Sequence, residues 1–200
     1  AALVGDKDAL VPLSREAIIT AMKAAASRQE DDEKAVVGLR STRRTELIRI
    51  AIADLSGDLD TDGVEEALTA LTAATLHVTL GIAVRAVEKE SGARLLTRIA
   101  IIGMGRLGGR ECGYSSDADV MFVHEPAQGA DPAKAQAQAE TVIGFIRKQL
   151  TESTADTALS FVAPFASFLP AEFLGASGVL AVVTTQAPGP GTLAAVTEVA

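Results

Sequence analysis

The sequence predicts an α+β fold in which a helical region precedes a small mixed sheet. Three observations predict it. Apolar residues recur at helical spacing from Ser14 to Glu90, whereas Arg98 to Ile102 and Ala118 to His124 are short β-branched or alternating runs. A glycine-rich stretch separates those two runs, and a helix started by a proline follows them. With aromatics at 4% and no tryptophan, the core must be aliphatic, which suits closely packed helices.

The first helix begins after Ser14, an N-cap residue, with Glu16 in its first turn and Ile18, Ile19, Met22, Ala25 and Ala26 on its apolar side. Gln29 to Lys34 is dense in charge and reads as a solvated turn or helix end. A second helix from about Leu39 carries a stripe of Leu47, Ile48, Ala51, Ile52 and Leu55, with Arg40, Arg43, Arg44 and Arg49 around the rest. Gly57 ends it. The acidic linker Asp58 to Asp62 leads into Val64 to Glu90, where Leu68, Leu71, Val78 and Ile82 form one stripe and Leu76, Leu80, Val84 and Val87 another. Two stripes mean a helix contacted on more than one side. After the two strand runs, Asp131 as N-cap and Pro132 at the first helical position start a helix whose buried side is Ala139, Val142, Ile143, Ile146 and Leu150. Beyond Lys148 no Lys or Arg occurs; Leu159 to Val162 and Val179 to Thr185 read as further strands, and Ala187 to Thr192 as a turn segment.

Composition narrows the function classes. An apolar fraction of 48% and a charged fraction of 22% describe a globular chain. Eighteen Lys plus Arg against 26 Asp plus Glu give a net charge of -8, which disfavours nucleic acid and anionic membranes as partners. The run Leu174 to Val183, broken by Gly175 and Gly178, is far short of a bilayer span, so no membrane segment is expected. A single cysteine, Cys112, and the lack of a charged-then-apolar leader point to a reducing, cytoplasmic location.

Two motifs are decoys. Asp58, Asp60, Asp62 and Gly63 open a D-x-D-x-D-G calcium loop, but Glu65 stands at its normally apolar eighth position and Thr69 where a bidentate carboxylate is required. Asp62 as a helix cap with Glu65 as its capping-box partner is the simpler account. Gly103, Gly105 and Gly108 spell G-x-G-x-x-G after a strand, yet only Gly109 to Ser116 separate it from the next strand, too few residues for a crossover helix. The two strands must therefore pair through a hairpin-like or short irregular connection.

The third motif is Gly108-Gly109, then Arg110 to Ser116, then Asp117-Ala118-Asp119-Val120. Residues two apart in a strand share a face, so Asp117 and Asp119 project together while Ala118, Val120 and Phe122 turn to the core. Paired carboxylates form a clamp for Mg²⁺, a hard cation that keeps waters and shares itself with substrate phosphates. Gly108 and Gly109 let backbone N–H groups approach a polyphosphate, and Ser115, Ser116, Arg106 and Arg110 add donors and positive charge. The same residues also fit a plain Gly-Gly turn and the solvated face of an edge strand.

The stretch Ile101-Ile-Gly-Met-Gly-Arg-Leu-Gly-Gly-Arg-Glu-Cys-Gly-Tyr-Ser-Ser-Asp-Ala-Asp-Val-Met-Phe-Val-His-Glu-Pro126 closely resembles the signature of the glutamine synthetase adenylyltransferases, members of the polymerase-β-like nucleotidyltransferases. The similarity extends over roughly residues 39 to 157. It implies a sheet of polymerase-β-like type and transfer of AMP from ATP to a tyrosine of glutamine synthetase, or phosphorolytic removal of that AMP, in control of nitrogen assimilation. It further implies Asp117 and Asp119 as catalytic metal ligands for Mg²⁺, Gly108, Gly109 and Ser116 at the nucleotide phosphates, and Arg106 as a lesser phosphate ligand. Glutamine synthetase and a nitrogen-signalling regulatory protein are the implied partners. The implied domains are a helical lead-in, 1–97, a nucleotidyltransferase core, 98–160, and an atypical Ala/Val/Gly/Pro-rich tail, 161–200.

The sequence departs from the family where a third carboxylate and an Arg-Pro-Glu-Gly segment belong, since Leu159 to Ala166 has neither an acidic residue nor an arginine. An alternative reading is thus a catalytically inactive fragment that retains nucleotide or glutamine synthetase binding. Of the remaining polar residues, His77 reads as a packed or solvent-facing helix residue and His124 as the end of the catalytic strand, a lesser substrate contact. Cys112 has no neighbouring histidine to activate it, and the four arginines of the second helix read as a solvated face.

Overall fold

In a computed structural model the described residues are 11–29, 31–151 and 194–199. Helix α1, Arg15–Ala26, is capped by Ser14, whose hydroxyl accepts from the Ala17 N–H, and buries Ile18, Met22 and Ala26. Helix α2, Asp32–Leu55, starts seven residues before the expected Leu39 because Asp31 caps it and Asp32 and Glu33 complement the positive end of its dipole. Its buried face also departs from expectation. Ala35, Val36, Leu39, Glu46, Ile50 and Ala53 point inward, while Ile48 and Leu55 are exposed, Leu55 by 89%. Glu46 holds a core position because it is bonded there, its carboxylate accepting from the Leu13 N–H at 2.6 Å and from Arg49 at 3.0 Å.

Helix α3, Thr61–Ser91, is capped by Asp60 rather than Asp62, the Asp60 side chain accepting from the Gly63 N–H at 2.9 Å. A Cβ at Gly63 would stand 3.0 Å from that same oxygen, so the glycine makes room for the cap. The Asp58–Asp62 run thus forms a helix start and not a calcium loop. All eight residues of the two expected stripes are buried, and Gly92 ends the helix at φ 66°. α3, and not Leu174 to Val183, is long and apolar enough to cross a bilayer by length and composition alone; two thirds of its most apolar window is buried inside the protein.

Strand β1, Thr97–Gly103, one-turn helix α4, Gly105–Gly109, strand β2, Val120–Pro126, and helix α5, Pro132–Thr151, follow in order. Asp131 accepts from the Ala133 N–H at the start of α5, as its Asp-Pro dipeptide predicts. Strand β3, Ala194–Val199, completes a sheet of order β2-β1-β3 and lies in the stretch for which the sequence suggested no element. The strands expected at Leu159 to Val162 and Val179 to Thr185, the turn at 187–192 and the departure at 159–166 lie outside the described residues, as does the Leu150 side chain.

The sheet is antiparallel, not mixed. Thr97 pairs with Pro126 and Gly103 with Val120, and β3 runs antiparallel to β1 with Gly103 opposite Ala194. The sixteen residues between β1 and β2, twice the eight counted from the sequence, include only the one-turn α4 and no helix long enough to carry the chain across the sheet, and the chain returns in the opposite direction. One apolar cluster runs from Ile18 and Met22 through α2 and α3 to Ile99, Ile101, Leu107, Val120, Val142 and Ile146, joining helices to sheet. Met104, Met121, Ile102 and Val123 form a smaller cluster on the other face of the sheet.

Candidate active site

The third motif lies at the end of the sheet where β1 leaves Gly103 and β2 begins at Val120. Asp117, Ala118 and Asp119 precede the strand instead of lying in it, yet their alternation is the expected one: Ala118 and Val120 are buried, Asp117 and Asp119 exposed. Phe122 continues the inward series as a partly buried residue against the main core. The Met104 N–H donates to the Asp119 carbonyl at 2.9 Å, closing the strand pair one step beyond the ladder.

Gly105 then turns the chain into α4 at φ 50°. A Cβ there would lie 2.9 Å from Asp119 Oδ2, so both the left-handed backbone and the close approach require glycine. This is the contact that brings the glycine stretch and the acidic pair together. Gly108 is buried in α4, its N–H bonded to the Met104 carbonyl, and Gly109 is half-buried. Arg106 and Arg110 are exposed, Arg110 closing α4 in the left-handed region at φ 62°.

The loop from Arg110 to Ser116 is folded on itself and tied to the helices. The Gly113 N–H donates to Ser116 Oγ at 2.7 Å, and the Ser116 N–H donates back to the Gly113 carbonyl at 3.1 Å. The Cys112 N–H donates to Thr69 Oγ1 on α3 at 3.3 Å, and the Tyr114 hydroxyl donates to Asp54 Oδ2 on α2 at 2.9 Å. Ser115 is exposed at the turn.

Charge at the site is strained. Loss of water around its carboxyl, and secondarily the Asp117 charge, push Asp119 above the ordinary carboxylate range. Burial pushes the Cys112 thiol up, against the opposing effects of Thr69, Arg43 and Arg106, which removes it as a nucleophile at neutral pH. Arg43 of α2, expected on a solvated face, thus bears electrostatically on this loop.

His124 is not brought to the site. It faces Thr97, Nδ1 to Oγ1 at 3.1 Å, about 17 Å of strand beyond Asp119. His77, half-buried on α3, has its pKa lowered by burial and by Lys23 and Arg15, which suits a packed helix residue. Of the other arginines expected on that solvated face, Arg40 donates to the Gln149 carbonyl on α5 and Arg49 pairs with Glu46. Gly105, Tyr114, Asp54 and Thr69 escaped the sequence reading. Gly105 carried a signal, but within G-x-G-x-x-G; the other three are joined only by tertiary contact.

A family model described as glutamate-ammonia ligase adenylyltransferase matches residues 3–160. The chain belongs to the glutamate-ammonia ligase adenylyltransferase family. Family relatives named bifunctional glutamine synthetase adenylyltransferase/adenylyl-removing enzyme include one from Nocardia farcinica, 44% identical over 144 residues, which are 72% of this chain and 14% of the relative. Another, from Mycobacterium tuberculosis (strain ATCC 25618 / H37Rv), is 45% identical over 143 residues, again 72% of this chain and 14% of the relative. A third, from Mycobacterium avium (strain 104), is 44% identical over 146 residues, 72% of this chain and 15% of the relative. The chain therefore spans about one seventh of the length of these family relatives.

Proposed function

We propose that this chain is a metal-dependent nucleotidyltransferase unit that transfers AMP from ATP to a tyrosine of glutamine synthetase, or removes it by phosphorolysis, so regulating nitrogen assimilation. The observation that carries the reading is the approach of Gly105 to the Asp119 carboxylate, which joins glycine stretch and acidic pair at one sheet end, in a chain of this family. We read the sheet as polymerase-β-like. The unit comprises a helical lead-in, 1–97, a core, 98–160, and a tail, 161–200; the family match over residues 3–160 supports the last boundary.

Asp117 and Asp119 fit a magnesium ion, since a cation beside the pair would offset both the loss of water and the Asp117 charge that push Asp119 up. Magnesium, when bound, neutralises phosphate charge and acidifies an attacking hydroxyl. The chain's own residues orient the nucleotide. Gly109, half-buried and without a side chain, leaves room for the phosphates, whereas the N–H of Gly108 is already bonded to the Met104 carbonyl, so Gly108 contributes by its missing side chain and not by its donor; Arg106 and Ser115 supply charge and a donor. Ser116 Oγ already accepts from Gly113, which leaves its hydroxyl hydrogen to donate to a phosphate oxygen. The partners in this reading are glutamine synthetase and a nitrogen-signalling regulator. The net charge of -8 supports the exclusion of nucleic acid and of anionic membranes. A cytoplasmic location is supported by a lone cysteine that is free and buried.

A second reading, a binding module without turnover, is favoured by one observation. Among the described residues no three His, Cys, Asp or Glu side chains are grouped to hold a metal. The acidic residue of β3, Glu198, pairs opposite Ala100, about 10 Å of strand from the Gly103 end. Calorimetry with Mg-ATP and transfer of radiolabelled AMP to purified glutamine synthetase test both. Binding that Asp119→Asn weakens at least about tenfold is expected. Labelling abolished by Asp117→Asn establishes the transferase, binding without labelling establishes the module, and equal binding by Asp119→Asn overturns the metal assignment.

A further inference from the structure

The ten residues from Arg110 to Asp119 contain no regular secondary structure, yet they deliver the acidic pair. Their ends are fixed by backbone bonds, Glu111 N–H to the Arg106 carbonyl at 2.8 Å and Met104 N–H to the Asp119 carbonyl at 2.9 Å. The reciprocal Gly113–Ser116 bonds give the middle a local shape but no place relative to the rest of the molecule. The Cys112 and Ala118 side chains, buried in the main core cluster, supply that place on one side, and two bonds tie the loop to the helices: Cys112 N–H to Thr69 on α3, and the Tyr114 hydroxyl to Asp54 on α2. The second is the exposed one. Tyr114 is 50% exposed, so burial of its ring does not seat the loop; the bond at its hydroxyl does.

We infer that Tyr114 and Asp54 are positioning residues for the candidate nucleotide site, a latch by which the helical region holds the loop so that Asp117 and Asp119 face the phosphates together. The inference rests on the proposed function of that site, and it gives the helical region a part in the chemistry beyond packing. The bond joins a neutral donor to a carboxylate, the stronger class of hydrogen bond, so it restrains a loop more than a neutral pair would. The carboxylate in turn keeps the phenol protonated: loss of water and the Asp54 bond push Tyr114 up to about 12, so the donor is present throughout the physiological range.

The test uses the whole chain and the series Y114F, D54A, D54N and the double variant D54A/Y114F. Amide hydrogen exchange in the absence of nucleotide reads the loop directly. Exchange at Cys112, Gly113 and Ser116 should quicken about tenfold in Y114F and D54A, less in D54N, which keeps an acceptor, and no further in the double variant, while α3 and β1 amides are unchanged. In calorimetry the same order should appear in Mg-ATP affinity, with binding of ATP alone in EDTA unaltered. Unchanged exchange in Y114F, or additive losses in the double variant, would overturn the latch. Failure of the wild-type chain to bind Mg-ATP, with the exchange series as expected, would overturn the proposed function and leave the latch standing as a fixture of the loop.

Discussion

Because loss of water and the Asp117 charge both disfavour the ionised Asp119 carboxyl, the folded state holds a proton there more tightly than the unfolded chain does. Stability therefore falls as pH rises from the unfolded pKa to the higher folded one, and above both the ionised group is a fixed cost. Asp119→Asn removes that cost, so its thermal midpoint should exceed the wild type's at neutral pH, with the difference vanishing below about pH 4. Calorimetric melts across pH check this, and an unchanged or lower midpoint at neutral pH would show that Asp119 is not strained. The same variant is expected to bind Mg-ATP at least about tenfold more weakly, and a gain in stability paired with that loss would mark a group kept for a ligand at the expense of the fold. At this scale the exposure of Asp117 and Asp119 together was legible in the sequence, because period-two alternation needs no partner to be read, and Gly108 and Gly109 of α4 were legible as an adjacent pair. Gly105 was visible only as a letter of a dinucleotide motif. Its actual constraint, an oxygen of Asp119 at 2.9 Å from its missing Cβ, exists only once β1 and β2 are paired.

Element by element, helices read from their own caps and stripes were recovered where burial surrounds them. α3 is the case in point: both of its apolar stripes are buried, so no choice of face was needed. α2 demanded a choice, and hydropathy chose wrongly. Its apolar Ile48 and Leu55 face out and Glu46 faces in, at 2% exposure, because the carboxylate is satisfied by Leu13 and Arg49. Removing it should cost more than an ordinary surface change. We expect Glu46→Ala to destabilise the chain by about 2–3 kcal/mol by leaving a buried donor and a cation unmatched, a fall in thermal midpoint of about 5–10 °C. Glu46→Gln, which keeps an acceptor for Leu13, should lose less. Thermal denaturation of the two variants checks the ranking, and an alanine variant as stable as wild type would make Glu46 incidental.

In the whole molecule, helices and sheet share one apolar cluster that reaches from α1 to α5. Leu80, fully buried at the centre of α3, belongs to it. Leu80→Ala should cost about 3 kcal/mol and lower the helical and loop transitions together. Far-UV circular dichroism reports the helices, and Tyr114, the only tyrosine in a chain without tryptophan, reports the loop by fluorescence. Coincident midpoints are expected, and separated ones would mean that helices and site fold as distinct units. The sequence by itself determined the class of the fold, the start and stop of most helices, the two strands around the glycine stretch and the alternation that exposes Asp117 and Asp119 together, since each rests on local period, capping or spacing. Only the tertiary structure decided which face of α2 is buried, that the sheet is antiparallel with β3 as its third strand, and that Asp54 and Thr69 hold the loop. Those depend on which distant groups meet, and the Tyr114–Asp54 bond joins residues 60 apart in sequence that no local pattern connects.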